Sequence, residues 1–176
     1  TDSIVLSDML RQTKDMYGVF YIRLSRKKAE QIYMPGSTFE IGKANTLREG
    51  SDATIIASGI CVADACRVAD KLADEGIHVR VLDMFTIKPI DKEAIIKASK
   101  ETGAIVTVEN HNIMNGLGSA VSEVLSEEAP CRMKRLGAPD SFGEVGTVPF
   151  LKEKFHMAEK DIEEAVKSLI SKKDVA

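Results

Sequence analysis

The sequence predicts an α/β protein of three layers, α/β/α, on a mostly parallel five-stranded sheet with one antiparallel edge strand. Three observations predict it. Short apolar runs rich in β-branched residues recur along the chain: "ATIIASG", "HVRVLDM" and "AIVTVEN". Between them, apolar residues fall at i, i+3, i+4 and i+7, the spacing of one helix face. Glycine, proline or aspartate stands where each element should start or stop. Strands that alternate with helices across short turns imply βαβ units, and right-handed crossovers place helices on both faces of the sheet.

In chain order, Leu6, Met9 and Leu10 predict a helix within residues 3–15, and Gly18 breaks it. "VFYIRL", Val19 to Leu24, is β-rich and is expected to be a strand. Charged residues and "MPGS" follow, so a linker is placed at Lys27 to Thr38. "ANTLREG", Ala44 to Gly50, reads as an edge strand, antiparallel to the buried strand that follows because the loop between them is too short for a crossover. Ala53 to Gly59 is that buried strand. Val62, Ala65, Cys66, Ala69, Leu72 and Ala73 then define a helix closed by Gly76. His78 to Met84 is the next strand. Pro89 and Asp91 announce a helix through Lys100, with Asp91 as N-cap, and Gly103 ends it. "AIVTVEN" is a strand, and Leu117, Ala120, Val121, Val124 and Leu125 form the helix after it. Cys131 to Pro139 is a shorter strand. Ile162, Ala165, Val166, Leu169 and Ile170 share one face of a last helix near residues 158–171.

Composition narrows the function. The 176 residues carry a net charge of −3, with no tryptophan and 5% aromatics, which argues against a nucleic-acid partner. No apolar run approaches the roughly 20 residues that span a bilayer, and no signal peptide is recognisable at the start. Three cysteines without a metal or redox spacing fit a reducing, cytoplasmic setting. The first residue is not methionine, so the chain is expected to begin inside a longer one.

Ligands of open parallel sheets favour the carboxyl ends of the strands, where Gly59, Asp83, Glu109 and Gly137 fall. Three features there are candidates. "NGLGS" puts Asn115, Gly116 and Gly118 at a helix start, where free N–H groups attract anions. It lacks the third glycine of a dinucleotide fingerprint and the lysine of a P-loop, and the alternative is a plain capped turn. His111, beside it, is a candidate base with no nucleophile paired to it. Cys61 precedes a helix, which favours a thiolate, whereas Cys66 lies on an apolar face and reads as core. The third and best candidate is "YIRLSRKK", which clusters Arg23, Arg26, Lys27 and Lys28 at a strand end. There an arginine fork suits a phosphate monoester, and the alternative is a solvated basic run.

The order of "FYIRLSR", "FEIGKANTLREGSDATIIASG", "VRVLDMFTIKPID", "TGAIVTVENHNIMNGLGSAVSEVL" and "RLGAPDSFGEVG" resembles the C-terminal part of transketolase over essentially the whole chain. The resemblance implies that residues 1–36 are the end of a pyrimidine-binding domain plus linker, and that residues 37–176 form the transketolase C-terminal domain. It implies transfer of a two-carbon ketol unit between sugar phosphates of the pentose phosphate pathway. The complete enzyme would be a homodimer that uses thiamine diphosphate and a divalent cation, magnesium or calcium. The metal ligands and catalytic groups are expected in an N-terminal section ahead of Thr1. This chain therefore carries no catalytic, cofactor-binding or metal-binding residue and would be inactive alone. What matches a family site is the arginine of "LSR", Arg26, which the resemblance assigns to the substrate phosphate. Asn110, the Asn115–Gly116 pair and Val145 depart from the family pattern and weaken any anion role for "NGLGS". A deoxyxylulose-phosphate synthase and the β subunit of a 2-oxo-acid dehydrogenase share this terminal domain and stay open. So do a non-enzymatic dimerisation module and a small-anion regulatory domain.

Overall fold

Five strands make one sheet in the order β1-β3-β2-β4-β5. The computed structural model describes residues 1–171. The strands are β1 (Asn45–Arg48), β2 (Ala53–Ala57), β3 (Val79–Asp83), β4 (Ala104–Asn112) and β5 (Arg132–Ala138). β2 to β5 are mutually parallel, and β1 runs antiparallel at the edge. The helices are α1 (Ser3–Thr13), α2 (Cys61–Asp74), α3 (Lys92–Thr102), α4 (Leu117–Glu128), α5 (Val148–Lys154) and α6 (Glu159–Ser171).

Alternation in the buried strands sorts the core into two halves. Ile55, Val81, Val106 and Val108 face one way and pack with Val62, Ala65, Val68 and Leu72 of α2 and Ile162, Ala165 and Val166 of α6. Ile56, Leu82 and Ile105 face the other way and meet Ile95 and Ala98 of α3 and Leu117, Val121 and Val124 of α4. Strands covered on both faces are expected to be apolar throughout, and all five residues of β2 are buried. A smaller cluster joins Val5 and Met9 of α1 to Phe39, which meets the rings of Tyr33 and Phe85 edge-on.

Local chemistry sets the boundaries. Asp91 caps α3 by accepting from the Ala94 N–H at 3.0 Å, and Gly103, at φ 63°, closes it in the left-handed conformation. Asp2 caps α1 with Oδ1, which accepts from Ile4 and Val5, while its Oδ2 accepts from the Ile32 and Tyr33 N–H groups. One carboxylate thus ties the first helix to the middle of the linker.

The structure corrects three expectations. Val19 to Leu24 belongs to no strand or sheet, and Val19 and Tyr21 are 101% and 88% exposed. A β-rich composition expresses a preference for a paired, half-buried surface, and the described residues offer that segment no partner strand. The edge strand pairs with β3 rather than with the β2 that follows it. The Ser51 and Asp52 N–H groups bond to the His78 carbonyl as the loop crosses the start of β3. Gly50 permits the crossing, because a Cβ there would lie 2.4 Å from the Arg80 backbone nitrogen. Finally, α5 was not expected, although Thr147 at its N-cap followed by Pro149 in its first turn is a start signal.

Candidate functional site

The strand order reverses at β2. β3 lies on one side of it and β4 on the other, so the topological switch point is the crevice beyond the carboxyl ends of β2 and β4. Gly59, Cys61, Glu109, Asn110 and the start of α4 surround this crevice. In such sheets it is the place for a ligand, and here the chain's own groups occupy it.

Glu109 is the centre. It is only 2% exposed, and its carboxylate accepts from the Leu117 N–H at 2.7 Å and the Gly118 N–H at 2.8 Å. The free donors at the start of α4 are therefore taken by an internal anion, which also complements the helix dipole. Gly116 is required for this contact, because a Cβ on it would lie 2.1 Å from Glu109 Oε2. Gly118 packs against Thr107 Oγ1 and the Arg135 side chain. Asn115, at φ 58°, makes the left-handed turn before the helix, and its N–H donates to Ser119 Oγ. The glycines and Asn115 thus build a capped, closely packed turn, and an added anion would meet the Glu109 carboxylate.

His111 is exposed, and its Nδ1 lies 2.9 Å from the carbonyl oxygen of Asn112, a local contact. Cys61 is fully buried, and burial pushes its thiol up to about 12 despite the nearby Lys152 and Arg23 cations. A thiol at that level is protonated at neutral pH and is no nucleophile. Cys66 is buried too, and burial raises its thiol.

The basic run is distributed unequally. Arg23 crosses to the switch point, where its Nη2 donates to the Asn110 carbonyl at 2.8 Å. Arg26 and Lys27 form an exposed bend, and Lys28 is exposed beside them. Further along, Glu30 Oε2 accepts from Arg67 Nη1 at 2.5 Å. Arg67, on α2, also reaches Asp64 at 2.5 Å and Glu159 at the start of α6 at 2.6 Å. Burial alone would lower its pKa, but the carboxylates around it outweigh that and hold it above the usual arginine range. Asp64, itself buried, is further paired with Lys152 of α5. Sequence reasoning missed this hub. Its signal was an Asp-x-x-Arg pair on α2, too common to single out.

Against this geometry, the family model for the transketolase C-terminal domain matches residues 42–162. The chain belongs to that family. It is 45% identical over 157 residues to the 6-deoxy-6-sulfo-D-fructose transketolase subunit SqwH of Clostridium sp. strain MSTE9, covering 89% of this chain and 49% of the relative. It is 37% identical over 171 residues to the 1-deoxy-D-xylulose-5-phosphate synthase of Heliobacterium modesticaldum, covering 96% of this chain and 26% of the synthase. Among solved structures, one described as a split gene transketolase, inactive beta4 tetramer, superposes with a TM-score of 0.89 at 41% identity. That match covers 93% of this chain and 54% of the other. The transketolase C-terminal chain thus spans about half the length of its transketolase relative, 49%, and about a quarter of the synthase, 26%.

Proposed function

We propose that this chain is the C-terminal section of a transketolase, in which residues 1–36 complete a pyrimidine-binding domain and residues 37–176 form the C-terminal domain. The observation that carries the reading is the segment around Arg26. It is a stretch of β-rich sequence, unpaired among the described residues and with exposed apolar side chains, that ends in the "LSR" arginine and is attached to a transketolase C-terminal domain. A second protein section that supplies the missing sheet would give Val19 to Leu24 its partners and turn Arg26 toward a substrate anion. The reaction is transfer of a two-carbon ketol unit between sugar phosphates, in a cytoplasmic homodimer. The exposed Tyr17, Val19, Tyr21, Phe142 and Val145 fit contacts with the N-terminal section and a second subunit. No helix among the described residues is long and apolar enough to cross a membrane.

Among the described residues, the groups at the switch point are already engaged and do not suit thiamine diphosphate or its divalent cation. The N–H donors at the switch point, which a diphosphate would require, are satisfied by the Glu109 carboxylate. Among the described residues no cluster of three or more His, Cys, Asp or Glu is disposed to hold a cation. The reading therefore assigns both to the N-terminal section. For this chain it leaves anion recognition: the Arg26 guanidinium pairs bidentately with the terminal anion of the sugar and fixes its distance from the reaction centre.

The test combines this chain with an N-terminal transketolase section, thiamine diphosphate and magnesium, and follows ketol transfer to phosphorylated and unphosphorylated aldoses. A sulfonated sugar is included because one relative is named for such a substrate. Activity is expected only in the mixture. Arg26→Ala should raise KM for anionic sugars about 10–100-fold, the cost of a charge-assisted pair, and leave the unphosphorylated acceptor within about twofold. Turnover by this chain alone, or an equal loss with both acceptors, refutes the reading. Formation of deoxyxylulose phosphate by the same mixture would reassign the chain to the synthase branch.

A further inference from the structure

Arg26 lies on an exposed bend, and a guanidinium on a loose loop loses much of its binding energy to ordering. The structure shows what limits that loss. Three residues before it, Arg23 Nη2 donates to the Asn110 carbonyl at 2.8 Å. Four residues after it, Glu30 Oε2 accepts from Arg67 Nη1 at 2.5 Å. Both anchors are themselves fixed. Asn110 lies where the β4–β5 register breaks, between Val108 and Asn112, next to the buried Glu109 that binds the start of α4. Arg67 is held by Asp64 of its own helix and by Glu159 of α6. Beyond Glu30, Asp2 takes the Ile32 and Tyr33 N–H groups, so the far end of the segment is anchored as well.

We propose that Arg23 and Glu30 are positioning residues that staple the Arg26 bend to the body of residues 42–162, so that this body sets the affinity for the anionic end of the sugar. The inference rests on the reading of Arg26 as the anion-binding residue. It gives the C-terminal domain a part in substrate recognition without contact with the substrate. The two staples are a basic group on an uncharged carbonyl and an acidic group on a basic hub. A solvated basic run would not alternate in this way, nor would it select fixed points on two different secondary-structure elements. Both staples are exposed, the Arg23–Asn110 bond at the surface and the second with Arg67 44% and Glu30 59% exposed at their side chains, so each is screened by salt and individually weak.

The experiment uses the complete assembly of this chain with its N-terminal section, thiamine diphosphate and magnesium, and compares Arg23→Gln, Arg23→Lys, Glu30→Gln, the double variant Arg23→Gln/Glu30→Gln, and Arg26→Ala. KM for a phosphorylated acceptor is expected to rise about threefold in each glutamine variant and about tenfold in the double variant, as exposed pairs allow. Arg23→Lys should recover most of the loss. The value of kcat and the KM of an unphosphorylated acceptor should stay within about twofold, and added salt should shrink the difference. Hydrogen exchange at residues 24–29 should quicken in the double variant, while the amides of α4 and α6 keep their protection. If Arg26→Ala is selective for the anionic acceptor but the double variant leaves KM unchanged, the staples fall and the Arg26 reading stands. A double variant that raises KM equally for both acceptors shows a merely structural role and also overturns the inference. If Arg26→Ala shows no selectivity, the anion-binding reading fails and the positioning role fails with it.

Discussion

Glu109 offers the sharpest test of how this fold is held. Its carboxylate is buried and accepts two N–H groups of α4 at 2.7 and 2.8 Å. Hydrogen bonds to a charged group contribute about 1.5–3 kcal/mol each, and a buried donor left unmade costs about 1–3 kcal/mol. Glu109→Gln keeps the shape but must turn an NH2 toward one of the two donors, so it should cost about 2–4 kcal/mol. Glu109→Ala removes both acceptors and opens a cavity that water can enter to satisfy part of the demand. Its cost should be about 3–5 kcal/mol, out of a total stability of about 5–15 kcal/mol for a domain. Gly116→Ala attacks the same contact from the other side. Its Cβ would stand 2.1 Å from Oε2 and must push the carboxylate off one donor, at about 1–3 kcal/mol. The two changes must therefore couple. Once Glu109 is alanine, the methyl at 116 meets no carboxylate, and the double variant should be more stable than the sum of singles by at least about 1 kcal/mol. Urea unfolding followed by far-ultraviolet circular dichroism measures the parent and all four variants. A loss below about 1 kcal/mol for Glu109→Ala, or strict additivity with Gly116→Ala, would refute the assignment of Glu109 as the internal anion of α4.

Two further predictions concern protons. Burial alone would raise the Asp2 carboxyl, but the N–H groups of Tyr33, Ile32, Val5 and Ile4 outweigh it and hold it below the usual carboxylate range. A lowered folded-state pKa contributes stability that is present above the unfolded pKa, about 3.9, and lost as pH falls through the folded one. Asp2→Asn should therefore cost about 1–2 kcal/mol at neutral pH, and the deficit relative to the parent should shrink as pH falls below about 3.9; thermal melts across pH measure it, and a constant deficit would contradict the assignment. Cys61 and Cys66 are buried with raised thiols, while Cys131 is half-buried. A disulfide reagent near pH 8 should modify Cys131 first in the native chain and all three in urea, and rapid native labelling at Cys61 would show that the start of α2 is open.

What the sequence made legible follows from how local the causes are. The βαβ core was readable because each strand and helix carries its own period: "ATIIASG" is apolar throughout for a strand buried on both faces, and Val62, Ala65, Cys66, Ala69 and Leu72 trace the buried face of α2. The caps at Asp91 and Gly103 were readable for the same reason. The partner of β1 was not, because nothing local to "ANTLREG" records that the loop steps over the start of β3; the folded chain shows it in the Ser51 and Asp52 bonds to His78 and the 2.4 Å approach at Gly50. The segment "VFYIRL" misled in the opposite sense, since its residues describe a strand and none of the described residues pairs with it. At the site, "NGLGS" presented its glycines but not their purpose. The group they accommodate is Glu109, eight residues before Leu117, and a carboxylate ending a strand has many uses. Arg67 was invisible because its partners, Glu30 and Glu159, are distant in sequence and meet only once α2, α6 and the linker are packed.

These features share a physical cause. A helix start at a switch point presents unmade donors, and a protein must either offer them to a ligand or satisfy them itself. Here they are satisfied by Glu109, which gives up a ligand site and gains a rigid end to β4. The gain is used one residue further on, where the Asn110 carbonyl receives Arg23. The same holds on the opposite flank, where Arg67 spends three donor positions on three carboxylates from three segments. Both of these sites are turned inward, and each contacts the segment that carries Arg26, through Arg23 and through Glu30. Under the function proposed above, a domain whose own ligand crevice is closed would still act on substrate, through the stiffness it lends to the arginine on the segment that precedes it.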